Sequence, residues 1–129
     1  MRRKYRQLLF TCPADQLTAL SGVILQHETL HQKTDDGRDF IEVVKGLNLI
    51  PGITVDKGWV ALAGSQDREV FTQGLDGLDE RCAEYRRMGC RFTKWRMVVN
   101  IGEDLPSTTA LEEGARSMAM YATIAQRNG

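Results

Sequence analysis

The chain is poor in the features that would place it at once in a specialised class of protein. Its 129 residues include only 3 Cys, 3 Pro and 2 His, and Lys+Arg and Asp+Glu both number 17, so the formal net charge is zero. This balance argues against a nucleic-acid or membrane surface, because both favour a large basic excess. No apolar run approaches the roughly 20 residues of a membrane-spanning helix. The basic residues 2–6 precede only a short apolar stretch, too short for a secretory signal.

The cysteines show no disulfide pattern. Cys12, Cys82 and Cys90 are an odd number without paired spacing, whereas small secreted domains usually carry an even set at regular spacings. We therefore expect reduced thiols in a cytoplasmic protein. Cys82 and Cys90 are predicted to be buried, small apolar residues rather than redox groups.

The hydrophobic pattern predicts an α/β fold. With 42% apolar residues, a chain of this length can form one domain, which we place at residues 1–129. Apolar runs predict strands at residues 22–25, 49–55 and 91–99. Helical periodicity predicts a first helix that closes before Pro13 and further helices at 40–45, 76–88 and 107–127, with residues 57–75 irregular. Strands that alternate with helices are typical of parallel strands joined by right-handed crossovers.

The last predicted helix is clearly amphipathic. Its apolar residues recur at helical spacing and predict the face that packs on the core. They are Leu111, Ala115, Met118, Ala122 and Ala125.

Charged residues near the predicted strand ends are the first functional candidates, because chemistry in parallel α/β folds collects at the C-terminal ends of strands. Lys94 and Arg96 are two positions apart in a predicted strand, so alternation would place them on one face. Two neighbouring cations are costly to desolvate unless an anion lies between them. A phosphorylated or carboxylated ligand would satisfy both. Alternatively, they lie on an edge strand and pair with acidic residues, and Asp56 is expected to orient such cations.

Residues 27–31 (HETLH) match the H-E-x-x-H pattern of zinc peptidases. That chemistry needs a helix, on which both imidazoles share a face and the glutamate acts as base toward zinc-bound water. Here the motif follows a predicted strand and enters a turn-rich segment, and the chain has only 2 His. We therefore expect no metal site and keep a zinc peptidase as a remote alternative.

Several segments together closely resemble class-I fructose-bisphosphate aldolases. They are residues 5–9 (YRQLL), 22–30 (GVILQHETL), 32–38 (QKTDDGR), 55–58 (VDKG), 72–78 (TQGLDGL), 92–96 (FTKWR) and 126–129 (QRNG). The segments follow the order of the family and span nearly the whole chain. In the family pattern a tyrosine usually stands where this chain has His31, so a single substitution accounts for the HETLH motif.

The resemblance implies a TIM (β/α)8 barrel. Such barrels need about 250 residues and eight strands, and the predicted strands correspond to the second, third and fourth. The expected fold is therefore a partial TIM barrel in which three parallel strands alternate with helices. We interpret residues 1–129 as a single incomplete aldolase-like barrel segment.

The resemblance also implies a reaction. The family cleaves fructose 1,6-bisphosphate to dihydroxyacetone phosphate and glyceraldehyde 3-phosphate through a Schiff base between a lysine and the substrate ketone. By the family pattern, that lysine lies on the sixth strand and the acid–base carboxylates lie on the fifth and first, outside these residues. No cofactor is implied. The segment alone is therefore expected to be inactive.

Residue-by-residue matching gives three candidate site residues. Lys94 matches a fourth-strand lysine that contacts substrate and steadies developing negative charge, which makes it the catalytic candidate. Arg96 matches the neighbouring arginine on the phosphate side, and Arg2 matches a substrate-binding arginine. The implied ligand is a sugar bisphosphate, and full-length members of the family are expected to be homo-oligomers.

One position departs from the family pattern. The third strand of the family normally carries a lysine two residues before its aspartate, but this chain has Thr54 before Asp56. Lys57 lies too far along the chain to replace it. The loss of this cation is expected to weaken sugar-phosphate binding by about 1–3 kcal/mol, the range for a hydrogen bond to a charged group.

Two functional interpretations follow from the sequence. The first is a segment of a glycolytic fructose-bisphosphate aldolase. The second is a non-catalytic, aldolase-like protein that acts through protein–protein binding.

Overall fold

The computed structural model describes residues 1–65 and 69–129. The elements in chain order are α1 (Arg2–Phe10), a 3-10 turn (Ala14–Leu17), β1 (Gly22–Leu25), α2 (His27–Leu30), α3 (Phe40–Gly46), β2 (Ile50–Thr54), β3 (Trp59–Ala61), β4 (Val70–Thr72), α4 (Leu78–Met88), β5 (Phe92–Lys94) and α5 (Thr108–Arg127). The chain divides into two compact units. The first unit comprises Met1–Thr54 and Glu84–Lys94, and the second comprises Val55–Ala83 and Trp95–Gly129.

The first unit is built on a parallel three-stranded sheet in the order β1-β2-β5. This arrangement confirms the prediction of parallel strands alternating with helices. The C-terminal ends of parallel strands meet at one edge of a sheet, so the residues that end β1, β2 and β5 are neighbours.

The two faces of this sheet differ in burial. Leu25 and Ile53 are almost completely buried, and α3 packs against β2. Residues paired across parallel strands share a face, so Ile24, Gly52 and Phe92 lie together on the other side. On that side Ile24 is 48% exposed and Phe92 is 37% exposed. The sheet therefore has one covered apolar face and one half-exposed apolar face.

Gly52 permits the close packing of this half-exposed face. A Cβ atom at Gly52 would lie 2.3 Å from Cζ of the Phe92 ring, far inside van der Waals contact. The absence of a side chain therefore allows the ring of the neighbouring strand to lie across β2.

The strand predicted at residues 91–99 is longer than the observed one. Only Phe92–Lys94 forms β5, because its partner strand β2 ends at Thr54 and the ladder has no further backbone partners. In the second unit the chain after β5 is held differently, since the Thr72 hydroxyl donates to the Arg96 carbonyl at 2.7 Å.

The expectation of irregular structure at residues 57–75 was also wrong in part. β3 and β4 pair antiparallel, with Trp59 opposite Thr72 and Ala61 opposite Val70. The residues between the strands are too many for the two-residue turns that mark a hairpin in a sequence, which explains why the pattern was missed. Residues 66–68 of this excursion lie outside the described residues.

The predicted core face of the last helix was displaced. Ser107 caps α5 by accepting a hydrogen bond from the Ala110 amide, close to the predicted start. The buried residues of the helix are Gly114 and Ser117, whereas Leu111 and Met118 of the predicted stripe are exposed. Small residues escape a search for apolar periodicity, although their size is what admits a close neighbour.

Two further observations concern the expectations from composition. Cys82 and Cys90 are buried, as predicted. Across the described residues 1–65 and 69–129, no helix is long and apolar enough to cross a membrane.

Candidate functional site

A row of polar residues crosses the C-terminal edge of the sheet in the first unit. Lys94 ends β5, and its register partner is Thr54 at the end of β2. Gln26, which follows β1, donates from Nε2 to the Thr54 hydroxyl at 3.4 Å. We call Gln26, Thr54 and Lys94 the strand-end row. By register, Thr54 and Lys94 lie on the face that carries Ile24 and Phe92.

The strand-end row provides hydrogen-bond donors above an apolar surface. It combines an amide, a hydroxyl and the ammonium group of the half-buried Lys94, which can donate to sugar hydroxyl or phosphate oxygens. Because Thr54 is neutral, Lys94 has no like charge as its register partner. The strand-end row therefore suits the binding of one phosphate group or one sugar hydroxyl group.

Arg96 is held in the second unit by an acidic and an aromatic neighbour. Its Nη2 atom lies 3.7 Å from Asp56 Oδ1, and its Cζ atom lies 4.9 Å from the centroid of the Trp59 ring. Asp56 is oriented in turn, since its Oδ1 accepts a hydrogen bond from the Gly58 amide at 3.2 Å. This confirms the expectation that Asp56 orients a cation.

The environment of Arg96 leaves it able to bind an anion. Its side chain is 44% exposed, whereas the Asp56 side chain is 4% exposed. The guanidinium group is planar and has five donors, so one ion pair and one aromatic contact do not use all of them. However, β5 ends at Lys94, and the alternation argument that paired Lys94 with Arg96 does not extend to Arg96.

Arg2 is exposed at the start of α1. The helix is attached to the segment after β1 by ion pairs of Arg3 with Asp35 and of Arg6 with Glu28. The charge of Arg2 contributes to lowering the pKa of Glu28, behind the larger effect of the Arg6 hydrogen bond. Arg2 therefore lies near the segment that follows the C-terminal end of β1.

The HETLH motif is more helical than predicted. Residues His27–Leu30 form the single turn α2, so the sequence argument that no helix is present was wrong. Nevertheless, the Arg6 guanidinium binds Glu28 and holds the pKa of its carboxyl below the ordinary range. Among the described residues, no group of three or more His, Cys, Asp or Glu side chains could hold a metal ion.

Two site residues were not identified from the sequence. Gln26 could have been found, because it directly follows a predicted strand. Trp59 could not, because its contact with Arg96 depends on the β3–β4 hairpin, whose connection is not a two-residue turn.

The sequence profile described as fructose-bisphosphate aldolase class-I matches residues 1–129. The chain belongs to the class-I fructose-bisphosphate aldolase family. Curated aldolases agree with this assignment. The chain is 55% identical over 128 residues to fructose-bisphosphate aldolase of Schistosoma mansoni, and this match covers 99% of the chain and 35% of the relative. It is 52% identical, with the same coverage, to the cytosolic fructose-bisphosphate aldolase 6 of Arabidopsis thaliana. The chain thus spans about a third of the length of these aldolases.

A solved aldolase has the same fold over this region. The structure is the aldolase of Plasmodium falciparum in a ternary complex with TRAP and a small-molecule inhibitor. It is 45% identical and superposes with a TM-score of 0.91, covering 98% of this chain and 37% of the aldolase chain. Both the sequence and the fold of the chain therefore agree with an aldolase segment.

Proposed function

We propose that residues 1–129 form one continuous barrel segment, equivalent to strands two to four of a class-I aldolase barrel, and carry part of its sugar bisphosphate site. In a closed barrel, one face of each strand packs against helices and the other fills the interior. The covered face at Leu25 and Ile53 and the half-exposed face at Ile24 and Phe92 support this assignment. In the complete barrel Ile24 and Phe92 would belong to an interior layer.

The proposed activity of the whole enzyme is cleavage of fructose 1,6-bisphosphate to dihydroxyacetone phosphate and glyceraldehyde 3-phosphate. The observation that carries this proposal is the position of Lys94 at the C-terminal end of a parallel strand, in a chain of the aldolase family. Active sites of TIM barrels lie at that end of the strands. The Schiff-base lysine would come from a part of the aldolase barrel that these residues do not supply.

Each candidate residue has a proposed role. Lys94 contacts the substrate and stabilises negative charge that develops during carbon–carbon cleavage. Arg96 binds a phosphate group through its exposed guanidinium. Arg2 contributes to substrate binding from the start of α1. These roles follow the family pattern, and the exposure of Arg96 and Arg2 is compatible with them.

We further propose a cytoplasmic homo-oligomer that binds neither nucleic acid nor membrane. The balanced charge and the cytosolic relative of Arabidopsis thaliana support this proposal.

A chimeric enzyme tests the site assignment. Residues 1–129 would replace the matching 128-residue region of the Schistosoma mansoni aldolase. We expect the chimera to cleave fructose 1,6-bisphosphate. Lys94→Met should lower its kcat by roughly 10²–10³-fold, the range for removing one donor that stabilises transition-state charge, and Arg96→Ala should mainly raise KM. A Lys94→Met chimera with unchanged kcat would contradict the role of Lys94.

Imine trapping tests the isolated chain. The purified 129-residue chain would be incubated with fructose 1,6-bisphosphate and borohydride and analysed by mass spectrometry. We expect no stoichiometric adduct, whereas the chimera should form one. An adduct on the isolated chain would show that one of its own lysines forms the Schiff base.

A second candidate function is a non-catalytic aldolase-like protein that binds another protein. The observation in its favour is the exposure of large apolar side chains in both units, including Ile50 in the first unit and Ile101 in the second. An inactive chimera that still folds and binds substrate would favour this candidate over the enzyme.

A further inference from the structure

His27 and His31 form an exposed pair of imidazoles that the proposed aldolase site does not use. They are four residues apart on the turn of α2 and its C-cap. Their ring centroids are 4.7 Å apart, and the ring planes are inclined by 66°. Both side chains are exposed. They are the 2 histidines of the sequence.

The spacing of the rings fits chelation of one metal ion. Metal–nitrogen bonds to imidazole are about 2.0–2.1 Å long, and the ring centroid lies one ring radius beyond the nitrogen. When the two metal–nitrogen bonds form a right angle at the ion, the ring centroids are roughly 4.6 Å apart. The observed 4.7 Å is close to this value. The present contact is edge-to-face, so the exposed rings must turn about their side-chain bonds before one nitrogen of each can face the same ion.

Tyr85 supplies a second, independent feature of the site. Its hydroxyl lies 3.0 Å from His27 Nδ1, and its ring packs edge-on to His27. Tyr85 is buried, so it provides a fixed partner. If Nδ1–H donates to this hydroxyl, the lone pair of the neutral ring is on Nε2, where it can bind a metal. An outer partner of this kind orients metal-binding histidines generally.

The surroundings favour a simple two-histidine site over a peptidase centre. Glu28, which would be the general base in an H-E-x-x-H enzyme, is already bound by Arg6. The described residues bring no third His, Cys, Asp or Glu into a common group with the pair. Water would therefore complete the coordination of the ion. Imidazole nitrogens suit Ni²⁺, Cu²⁺ and Zn²⁺.

We propose that His27 and His31 chelate one divalent transition-metal ion, with Tyr85 as a residue that positions His27. This proposal revises the expectation from the sequence that the chain holds no metal. It does not depend on aldolase activity, because it concerns the imidazoles alone.

Titration with Ni²⁺ tests the proposal on the untagged 129-residue chain. The experiment would use a Cys12→Ser background, because Cys12 is the least buried thiol and thiolates also bind metals. Isothermal titration should give one Ni²⁺ per chain. His31→Tyr, which introduces the residue usual at this position in the family pattern, should weaken binding at least tenfold. Tyr85→Phe keeps both ligands and should weaken binding by a smaller factor.

Circular dichroism of each variant would establish that it is folded, and His27→Gln replaces His31→Tyr if the latter does not fold. Proton NMR gives a second measurement, since paramagnetic Cu²⁺ at substoichiometric concentration should broaden the imidazole signals of both histidines together. Absence of stoichiometric binding, equal affinity in His31→Tyr, or broadening of only one imidazole would overturn the proposal.

Discussion

Thr54 and Lys94 are register partners at the ends of the neighbouring parallel strands β2 and β5. The resemblance to the family implies a lysine where this chain has Thr54, which would place two ammonium groups side by side at the ends of these strands. In this chain the neutral Thr54 hydroxyl instead accepts a hydrogen bond from Gln26. The strand-end row is therefore less basic than the family pattern implies. Its stability depends less on a bound anion that would offset repulsion between two cations.

Restoring a lysine at Thr54 should make stability depend on an anion. Neighbouring strands lie about 4.7–4.9 Å apart, and like charges placed opposite each other destabilise a sheet by up to about 1 kcal/mol. We expect Thr54→Lys to lower the free energy of unfolding by about this amount in phosphate-free buffer, and fructose 1,6-bisphosphate to restore part of it. Urea unfolding with and without the ligand measures both effects.

Thr54→Met is the matched control, because methionine resembles lysine in length and carries no charge. It should show no gain in stability from fructose 1,6-bisphosphate beyond that of the original chain. An equal gain in the methionine and lysine variants would mean that the strand-end row does not recognise the anion through a second cation.

Gly114 and Met97 offer a test of how α5 is packed. A Cβ atom at Gly114 would lie 2.2 Å from Met97 Cε. Alanine is favoured over glycine by about 1 kcal/mol in a helix interior, but the flexible Met97 side chain must move aside, so Gly114→Ala should stabilise the chain by less than this amount. In a Met97→Ala background the same substitution should stabilise it by the full amount. Urea unfolding of the four proteins in this double-mutant cycle gives the coupling, and purely additive effects would contradict the proposed clash.

The contacts of the Asp36 carboxylate should make the stability of the chain decrease at acidic pH. The hydroxyl of Thr34, followed by the guanidinium of Arg38, lowers the pKa of Asp36 from 3.8 to about 2. Because the pKa is lower in the folded state, the resulting stability is present above pH 3.8 and is lost as pH falls toward 2. Asp36→Asn should therefore lower the urea midpoint at neutral pH and make its decline between these pH values shallower.

Asp15→Asn is the control for removing an exposed carboxylate, since Asp15 lies on the surface in the 3-10 turn. If both variants lose stability with the same pH profile as the original chain, the contacts of Asp36 do not account for the acid sensitivity.

The buried thiol of Cys90 should make stability depend on pH in the opposite direction, with a loss at alkaline pH. Burial raises the pKa of its thiol from 9.0 to about 11. Because the pKa is higher in the folded state, the resulting stability is present below pH 9.0 and is lost as pH rises toward 11. Urea midpoints of the original chain should decline over this range, and those of Cys90→Ala should decline less.

Alkylation of the native chain gives an independent measurement of the same burial. Iodoacetamide should modify Cys12 first, because Cys82 and Cys90 are buried and thiols react as thiolates. Peptide mapping by mass spectrometry would locate the label. Modification of native Cys90 as fast as Cys12 would show that the Cys90 thiol is accessible.

Local patterns were sufficient wherever one element decides its own structure. The apolar run at Gly22–Leu25 was predicted with its observed bounds, since a short, continuous run of this kind is typical of a buried parallel strand. The cap at Ser107 also lies near the predicted helix start, because an N-cap depends on groups within one turn. Lys94 was found for the same reason, as it lies on a strand of the recognised motif.

The remaining features depend on residues that are distant in the sequence. β5 ends at Lys94 because β2 has no further partner residues, and Trp59 meets Arg96 only within the folded second unit. The sequence by itself determined the family and the parallel order of strands and helices, because motif identity and periodicity are properties of short segments. Only the tertiary structure decided where β5 stops, that β3 pairs with β4, and which face of α5 is buried. Each of these outcomes depends on backbone hydrogen bonds or close contacts with a partner that no local pattern specifies.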